Sequence, residues 1–465
     1  MAGTTTPVQA LVEHALAAST ADDCVVIAHH RTAANLRWAN NTLTTNGAMR
    51  RVDVAVVSFV RGTGRISVGS RSGSATTLDQ VDALVAAADA AARAADPAGD
   101  AQELVAGAAA DDWDRPPVET DIHVFDAVAP ALGEAFDRAR AGRRVLYGFA
   151  DHQVTTTYLA STTGLRLRHV QPTGHYACTG KTADLTNSAW VGDATRDFAG
   201  VDPLAVEAEL ERRLGWGARQ VALPAGRYDT ILPPTAVADL MIDAYWYAGA
   251  RDAHDGQSVY SHRGGGTRLG EQVARPDVTL FSDPAYPGLE CAPHVTETSS
   301  SSDRSVFDNG LPLTRSDWIR LGTLAALRQT RETAALTAQE VTPPIDNLIL
   351  EVDGADGTLD DLVAGTGRGL LLTCLWYIRA VDPQTLLLTG LTRDGVYLVE
   401  NGEITGAVNN FRFNESPVDL LRRFTHASAT VPGFSREWGD DYFSRTAMPA
   451  LRIPDFTMSS VSQAR

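Results

Sequence analysis

The alternation of apolar and polar residues predicts a chain that mixes helices with long strands. Residues 7–19 repeat apolar side chains at helical spacing, and residues 77–95 do the same after a threonine that can cap a helix. Between these two segments, residues 24–28, 35–42 and 51–60 have the composition of strands, and the last of them is rich in β-branched residues. Residues 1–95 are therefore predicted to form an N-terminal α+β domain.

The stretch at residues 96–121 differs in composition from its neighbours. It carries eight acidic residues and one basic residue, together with two adjacent prolines. Such a stretch is typical of a solvated acidic linker or, equally, of an acidic surface loop. Beyond it, residues 122–224 again combine helical periodicity with long strands, which predicts a central α+β domain.

Residues 225–465 are predicted to form a β-rich C-terminal domain. A helix near its start covers residues 233–248, which begin with two prolines and place apolar side chains on one face. From residue 348 onward short strands alternate with turns, and Asn401-Gly402 marks a hairpin between two of them. The predicted fold class is α+β, with N-terminal sheet-and-helix lobes followed by this β-rich domain.

Composition and charge exclude several classes of function. The formal net charge of the 465 residues is −17, which disfavours binding to nucleic acid or to an anionic membrane because both are polyanions. No apolar run reaches the roughly 18 residues of a membrane span, and no basic start precedes an apolar run. The four cysteines have no paired spacing. We therefore expect a cytoplasmic protein with reduced cysteines.

A search for catalytic motifs finds no complete set. The chain has no Walker loop, no nucleophile elbow and no pair of histidines at metal-binding spacing on a helix. Weaker metal-ligand candidates are Cys291 with His294, and His254 with His262. Both pairs are more typical of ordinary loops. Cys374 lies in an apolar stretch and is expected to be a small buried core residue.

Four segments of the C-terminal part carry a resemblance to a known family. They are LLTCLWYIR (371–379), TGLTRDGVYLVENGEI (389–404), GAVNNFRFNES (406–416) and PALRIPDF (449–456). In this order they resemble the C-terminal domain of the TldD/PmbA (TldE) family. Earlier segments around residues 35–60 and 283–311 are similar to the same family, so the resemblance covers nearly the whole chain.

In that family the TldD-type subunit carries a zinc-binding His-Glu-x-x-x-His motif on a helix of the C-terminal domain, with a cysteine ligand near the C-terminus. The corresponding positions of this chain are Ile242, Asp243 and Tyr247, and residues 447–465 contain no cysteine. An alkyl group has no lone pair to give to a metal. We therefore expect no zinc in this chain, although Asp243 keeps a carboxylate near the position of the family's catalytic base.

The resemblance thus implies a TldE/PmbA-type subunit without its own catalytic motif. It implies a heterodimer with a TldD-type partner that supplies the zinc and cleaves unfolded or short peptides. Such a peptide can be held as an added strand through its backbone. The residues expected to contact it are Thr373, Asn409, Asn410, Arg412 and Asn414. An ordinary hairpin surface that contacts the partner is an equally open interpretation of these residues.

Two other interpretations stay open. One is a peptide-binding or scaffolding homodimer without peptidase activity. The other is a metallopeptidase with relocated ligands, and the candidates are Cys291, His294, His254 and His262. Stoichiometric zinc in the purified chain would favour relocated ligands, whereas the absence of any TldD-type binding partner would favour the scaffold.

Overall fold

The structure is a computed structural model that describes residues 6–439, 443 and 445–462. Within these residues the α-helices are α1 (Val8–Ala18), α2 (Leu78–Ala94), α3 (Val128–Ala141), α4 (Pro203–Trp216), α5 (Pro234–Trp246), α6 (Ala250–His254), α7 (Arg331–Thr337), α8 (Leu359–Ala364) and α9 (Pro417–Arg423). Short 3-10 turns cover Ile122–Phe125 and Val306–Asp308.

The β-strands make up the larger share of the regular structure. In chain order they are β1 (Asp23–Ala39), β2 (Thr42–Gly62), β3 (Arg65–Ser74), β4 (Arg144–Ser161), β5 (Arg166–Thr182), β6 (Ser188–Thr195), β7 (Gln220–Val221), β8 (Gly226–Leu232), β9 (Val278–Ser282), β10 (Ser316–Arg320), β11 (Thr323–Leu324), β12 (Leu348–Val352), β13 (Arg368–Leu372), β14 (Leu375–Asp382), β15 (Leu387–Thr392), β16 (Val396–Glu400), β17 (Glu403–Val408), β18 (Phe411–Glu415), β19 (His426–Ala427), β20 (Val431–Gly433), β21 (Thr446–Met448) and β22 (Leu451–Val461). The α+β fold class predicted from the sequence is confirmed.

The first sheet has six antiparallel strands in the order β3-β2-β1-β4-β5-β6. Strand β1 pairs with β2 along one edge and with β4 along the other, so that Val26 lies opposite both Val56 and Ala160. Strands from residues 1–95 and from residues 122–224 therefore form one continuous sheet. The two predicted N-terminal lobes are two halves of this sheet, joined by the pairing of β1 with β4.

All four N-terminal helices pack on the same face of the first sheet. Helices α1 and α2 cover the half that contains Val26, and α3 and α4 cover the half that contains Trp38 and Tyr176. Because successive strand residues point to opposite faces, the other face presents a second apolar surface. There Phe59 contacts Phe307 of the C-terminal part, with ring centroids 5.1 Å apart.

Residues 96–121 pack along the first sheet, which corrects the prediction of a solvated linker. Trp113 is only 7% exposed and meets the ring of Tyr158 edge-on, with centroids 5.5 Å apart. Asp112 forms an ion pair of 3.0 Å with Arg168 of β5. The few apolar side chains of the segment thus determine where it lies, while most of its carboxylates stay exposed.

Two further sheets build the C-terminal part. One has ten strands in the order β14-β15-β18-β22-β8-β13-β16-β17-β7, with β19 attached to β22, and the other has six in the order β11-β10-β9-β12-β21-β20. Helix α5 contacts β8 of the larger sheet and both β20 and β21 of the smaller one. Ten of its residues, Ala236 to Tyr245, are buried in the core between the sheets. None of the described helices is long and apolar enough to cross a membrane.

The strongest turn signal in the sequence is confirmed. Asn401 and Gly402 connect β16 to β17, and their φ angles are 53° and 82°. Two consecutive residues with positive φ are the requirement of the tight hairpin turn that an Asn-Gly pair favours.

Candidate functional site

Helix α5 places the three residues that correspond to the family's zinc motif, Ile242, Asp243 and Tyr247, in three different surroundings. Ile242 is fully buried in the apolar core, and Asp243 is 5% exposed. Tyr247 ends the helix and is half-buried. An alkyl group, a buried carboxyl and a phenol do not form the set of imidazole, thiolate and carboxylate ligands that zinc prefers. These residues therefore do not fit a zinc ion.

Asp243 belongs to a group of acids that we name the inner carboxyl cluster: the buried Asp239 and Asp243 and the half-buried Glu437. Burial, reinforced by repulsion from the other carboxyls, raises the pKa of Asp239 and of Asp243 to about 7 each. Burial also raises the pKa of Glu437. Near neutral pH the cluster therefore holds protons that ordinary surface carboxyls have lost.

The loop at residues 435–438 is tied to this cluster by hydrogen bonds. The Ser435 hydroxyl donates to Asp239 Oδ1 at 2.6 Å, and the Glu437 N–H donates to the same oxygen at 3.0 Å. The Trp438 indole N–H donates to the Asp239 backbone oxygen at 3.1 Å. The residue between these anchors, Arg436, instead lies against the rings of two tryptophans at a cavity wall. Helix α5 thus fixes the loop that presents Arg436.

The alternative metal ligands do not assemble into a site. Burial raises the pKa of Cys291 to about 12, and burial together with nearby His169 lowers the pKa of His294 to about 4. His254 is half-buried and His262 is exposed. Across residues 6–439, 443 and 445–462, no three His, Cys, Asp or Glu side chains are positioned to hold a metal ion.

One predicted peptide-binding residue, Thr373, lies inside the fold. Its side chain is 2% exposed, and its hydroxyl donates to the Gly395 backbone oxygen at 3.2 Å. The neighbouring Cys374 is also buried, and burial raises the pKa of its thiol well above the usual range. Both residues lie between β13 and β14, and their side chains are buried and do not reach the surface.

The other four predicted residues lie at two places. Asn409 and Asn410 line a cavity of about 600 Å³, where the Asn409 side-chain Oδ1 also accepts from the Leu223 N–H at 2.7 Å. Arg412 and Asn414 lie on β18, at positions that alternate with its buried residues. The structure therefore brings Asn409 and Asn410 together at one cavity and leaves Arg412 and Asn414 on a strand face.

The surroundings of that cavity were not predicted from the sequence. It adjoins a cavity of about 260 Å³, which in turn adjoins one of about 440 Å³. The side chains shared by neighbouring cavities are Lys181, Arg393, Asp394, Tyr147, Thr179 and Arg436. We name the combined space the basic groove, because the charged side chains that line it among the described residues are five bases and one acid: Arg37, Lys181, Arg213, Arg393, Arg436 and Asp394. One sequence signal was available, since Lys181 is the only lysine of the chain.

Comparison with known proteins identifies the class to which this architecture belongs. Residues 225–460 match the family model of the PmbA/TldA metallopeptidase C-terminal domain. The fold and this domain are thus those of a metallopeptidase-like class of proteins. Because the match spans more than half of the chain, the chain belongs to the PmbA/TldD family.

Solved structures agree with the whole fold. TldE from Thermococcus kodakarensis has a TM-score of 0.73 at 15% identity, over 97% of this chain and 99% of that chain. A proposed modulator of DNA gyrase from Thermotoga maritima has a TM-score of 0.71 at 18% identity, over 94% and 96%. Another from Bacteroides thetaiotaomicron has a TM-score of 0.70 at 15% identity, over 97% and 98%. Identities this low show a common fold alone. A search of curated proteins finds no match.

Proposed function

We propose that this chain is the non-catalytic, TldE/PmbA-like subunit of a heterodimeric zinc metallopeptidase that acts on unfolded or short peptides. In this proposal a TldD-type partner supplies the zinc and the carboxylate that activates water. The observation that carries the proposal is helix α5, where Ile242 is packed in the core at a position at which zinc would need a ligand. Membership of a metallopeptidase-like family supports the assignment to peptide hydrolysis.

The chemistry of α5 favours a subunit that depends on its partner. Peptide hydrolysis by such a site needs a metal to polarise the carbonyl group and to lower the pKa of a water molecule. Asp243 is 5% exposed and sits among other carboxyls, so it has no metal-bound water to deprotonate. What this chain can contribute is the binding and enclosure of a peptide, for which its polar cavities offer the space.

The proposal includes a cytoplasmic location. All four cysteines are buried free thiols, as is usual for proteins of a reducing compartment.

The decisive experiment is reconstitution. The purified chain, a TldD-type partner and an equimolar mixture are incubated separately with a fluorescent unstructured peptide, with and without added zinc. We expect cleavage by the mixture only, and its loss when the motif glutamate of the partner is replaced by glutamine. That variant is the matched control, because it leaves the assembly intact while removing the general base.

Other outcomes point to the remaining interpretations. Zinc-dependent cleavage by the chain alone contradicts the proposal and favours relocated ligands. A stable homodimer that binds peptides but neither binds nor activates a TldD-type partner contradicts it in favour of a scaffold. Size-exclusion chromatography of the same three samples distinguishes these assemblies.

A further inference from the structure

The basic groove concentrates positive charge in an acidic protein. The chain carries a net charge of −17, yet among the described residues five basic side chains and one acid line this space. The five basic residues originate from separate parts of the sequence: Arg37 on β1, Lys181 on β5, Arg213 on α4, Arg393 after β15 and Arg436 in the loop at 435–438. Such a local reversal of sign attracts anions into a polar cavity.

Most of these cations have no counter-ion. Among the described residues, Arg37, Lys181 and Arg436 have no carboxylate within 4.0 Å, whereas Arg213 is paired with Glu209 at 2.6 Å. Arg393 approaches Asp394 at 3.6 Å, and that carboxylate also accepts a hydrogen bond from Ser188. Among the described residues, Arg37, Lys181 and Arg436 thus carry positive charge that no carboxylate contacts directly, although the charge of Arg436 acts at longer range on Asp239 and Glu437.

Arg436 is held in a fixed orientation by aromatic rings. Its guanidinium carbon lies 3.9 Å from the ring centre of Trp376 and 5.1 Å from that of Trp190. Its Nε is buried without a hydrogen-bond partner among the described residues. A flat guanidinium stacked on indoles loses little further freedom when it binds, and its paired N–H groups match the two oxygens of a carboxylate.

The aromatic contacts also argue against nucleic acid as the occupant. Nucleobases bind single-stranded sites by stacking on free aromatic faces. Here Trp376 is covered by Arg436 and by Arg393, whose guanidinium carbon lies 5.4 Å from its ring centre, and Trp190 is near-parallel to Phe434 at 6.3 Å. The overall acidity of the chain repels a long polyanion as well. A single carboxylate on a short ligand avoids both obstacles.

We infer that the basic groove binds the carboxylate of a peptide. Arg436 makes a bidentate hydrogen bond to the two carboxylate oxygens, and Lys181 is the second cation. The choice of a peptide as the carrier of the carboxylate rests on the proposed function. The carboxylate is either the free C-terminus or an acidic side chain, and the groove chemistry is the same for both. The site therefore selects acidic or newly cleaved peptides over neutral, blocked ones.

The test measures binding to the full chain without a partner. Isothermal titration compares four probes: an acetylated hexapeptide of glycine, serine and valine with a free C-terminus, its amide, an amide that contains two glutamates, and a ten-residue thymidine oligonucleotide. We expect at least one carboxylate-bearing peptide to bind about tenfold or more tightly than the neutral amide. The peptide that binds tighter identifies the source of the carboxylate.

Substitutions then connect the binding to the groove. Arg436→Lys keeps the charge but loses the paired N–H groups, and we expect it to weaken binding about tenfold. Lys181→Gln is expected to weaken binding about threefold. If Arg436→Lys lowers the melting temperature, the affinity of Lys181→Gln tests whether the groove binds the carboxylate. The matched control is Arg320→Gln, because the Arg320 side chain is 71% exposed and lies outside the groove.

Equal affinity for the neutral and carboxylate-bearing peptides overturns the inference, as does unchanged binding by both groove variants. Tighter binding of the oligonucleotide than of any peptide overturns it in favour of nucleic acid. Because no partner and no cleavage are involved, failure of reconstitution contradicts the proposed function without changing these affinities. Conversely, a functional heterodimer whose groove ignores carboxylates contradicts only this inference.

Discussion

The loop at residues 435–438 lies between two charged regions, the inner carboxyl cluster and the basic groove, which differ in sign of charge, in burial and in hydrogen bonding. On one side, Asp239 and Asp243 of the inner carboxyl cluster are buried and have pKa values raised to about 7, and Asp239 receives hydrogen bonds from the loop. On the other side, the basic groove is open and keeps Arg436 without a carboxylate partner among the described residues. The comparison teaches that the carboxyls near the family's motif position support the fold, whereas the unpaired cations are available to a ligand.

The largest effect is expected from Asp239→Ala, which removes the acceptor that anchors the loop. The Ser435 hydroxyl and the Glu437 N–H then lose a buried hydrogen-bond partner, which costs about 1–3 kcal/mol for each group. We expect the free energy of unfolding at pH 6 to fall by about 2–6 kcal/mol in urea denaturation, and peptide binding at the groove to weaken.

Two matched variants control this result. Asp239→Asn keeps an acceptor oxygen and is expected to cost less than half as much. Asp137→Ala removes a carboxylate that is 79% exposed, and it should change stability by no more than about 0.5 kcal/mol. If Asp239→Ala is as mild as Asp137→Ala, the loop is not anchored by the cluster.

A smaller, pH-dependent effect is expected from Asp243→Asn. The pKa of Asp243 is raised in the folded state from 3.8 to about 7, so the folded chain binds more protons than the unfolded chain between these values. The contribution of this group to stability is therefore complete below pH 4 and falls as the pH rises towards 7 and beyond. Asparagine cannot ionise, so the variant does not lose stability at this position as the pH rises.

We therefore expect Asp243→Asn to have nearly the stability of the natural chain at pH 4 and to exceed it by about 2 kcal/mol or more at pH 8. Denaturation at both pH values measures the difference, in which the titrating groups outside the inner carboxyl cluster cancel. A difference that is independent of pH, or one that favours the natural chain at pH 8, contradicts the assignment of a raised pKa.

The smallest effect on stability is expected from Lys181→Gln in the groove. The Lys181 ammonium lies 5.8 Å from the ring centre of Tyr147 and has no ion pair among the described residues. Its loss should change the free energy of unfolding by less than about 0.5 kcal/mol, although it weakens carboxylate binding. A cost of 2 kcal/mol or more would show that Lys181 serves the fold, as the carboxyl cluster does.

Local signals in the sequence predicted the local structure well. Helix α5 was expected over residues 233–248 and is observed at Pro234–Trp246, because prolines at its start and apolar periodicity act within the segment. The capping box at Thr77 and the Asn401-Gly402 turn are of the same kind. Each depends on residues within a few positions of one another.

Features that depend on distant residues were not predictable in this way. The pairing of β1 with β4 joins Val25 to Ser161 across the acidic stretch, so composition suggested two lobes where one sheet exists. Composition left a solvated linker and an acidic surface loop equally open for residues 96–121. The structure favours the surface loop, because Trp113 finds its partner Tyr158 only in the folded chain. The basic groove collects its basic residues from five segments, and only the single lysine distinguished any of them in the sequence.

The central claim is that this chain contributes no zinc of its own and acts with a partner that does. Native mass spectrometry of the chain, of a TldD-type partner and of their mixture counts zinc per assembly most directly. The account predicts no zinc on the isolated chain and one zinc per heterodimer, which disappears when a motif histidine of the partner is replaced. One zinc retained by the isolated chain, or a heterodimer with two, would contradict it.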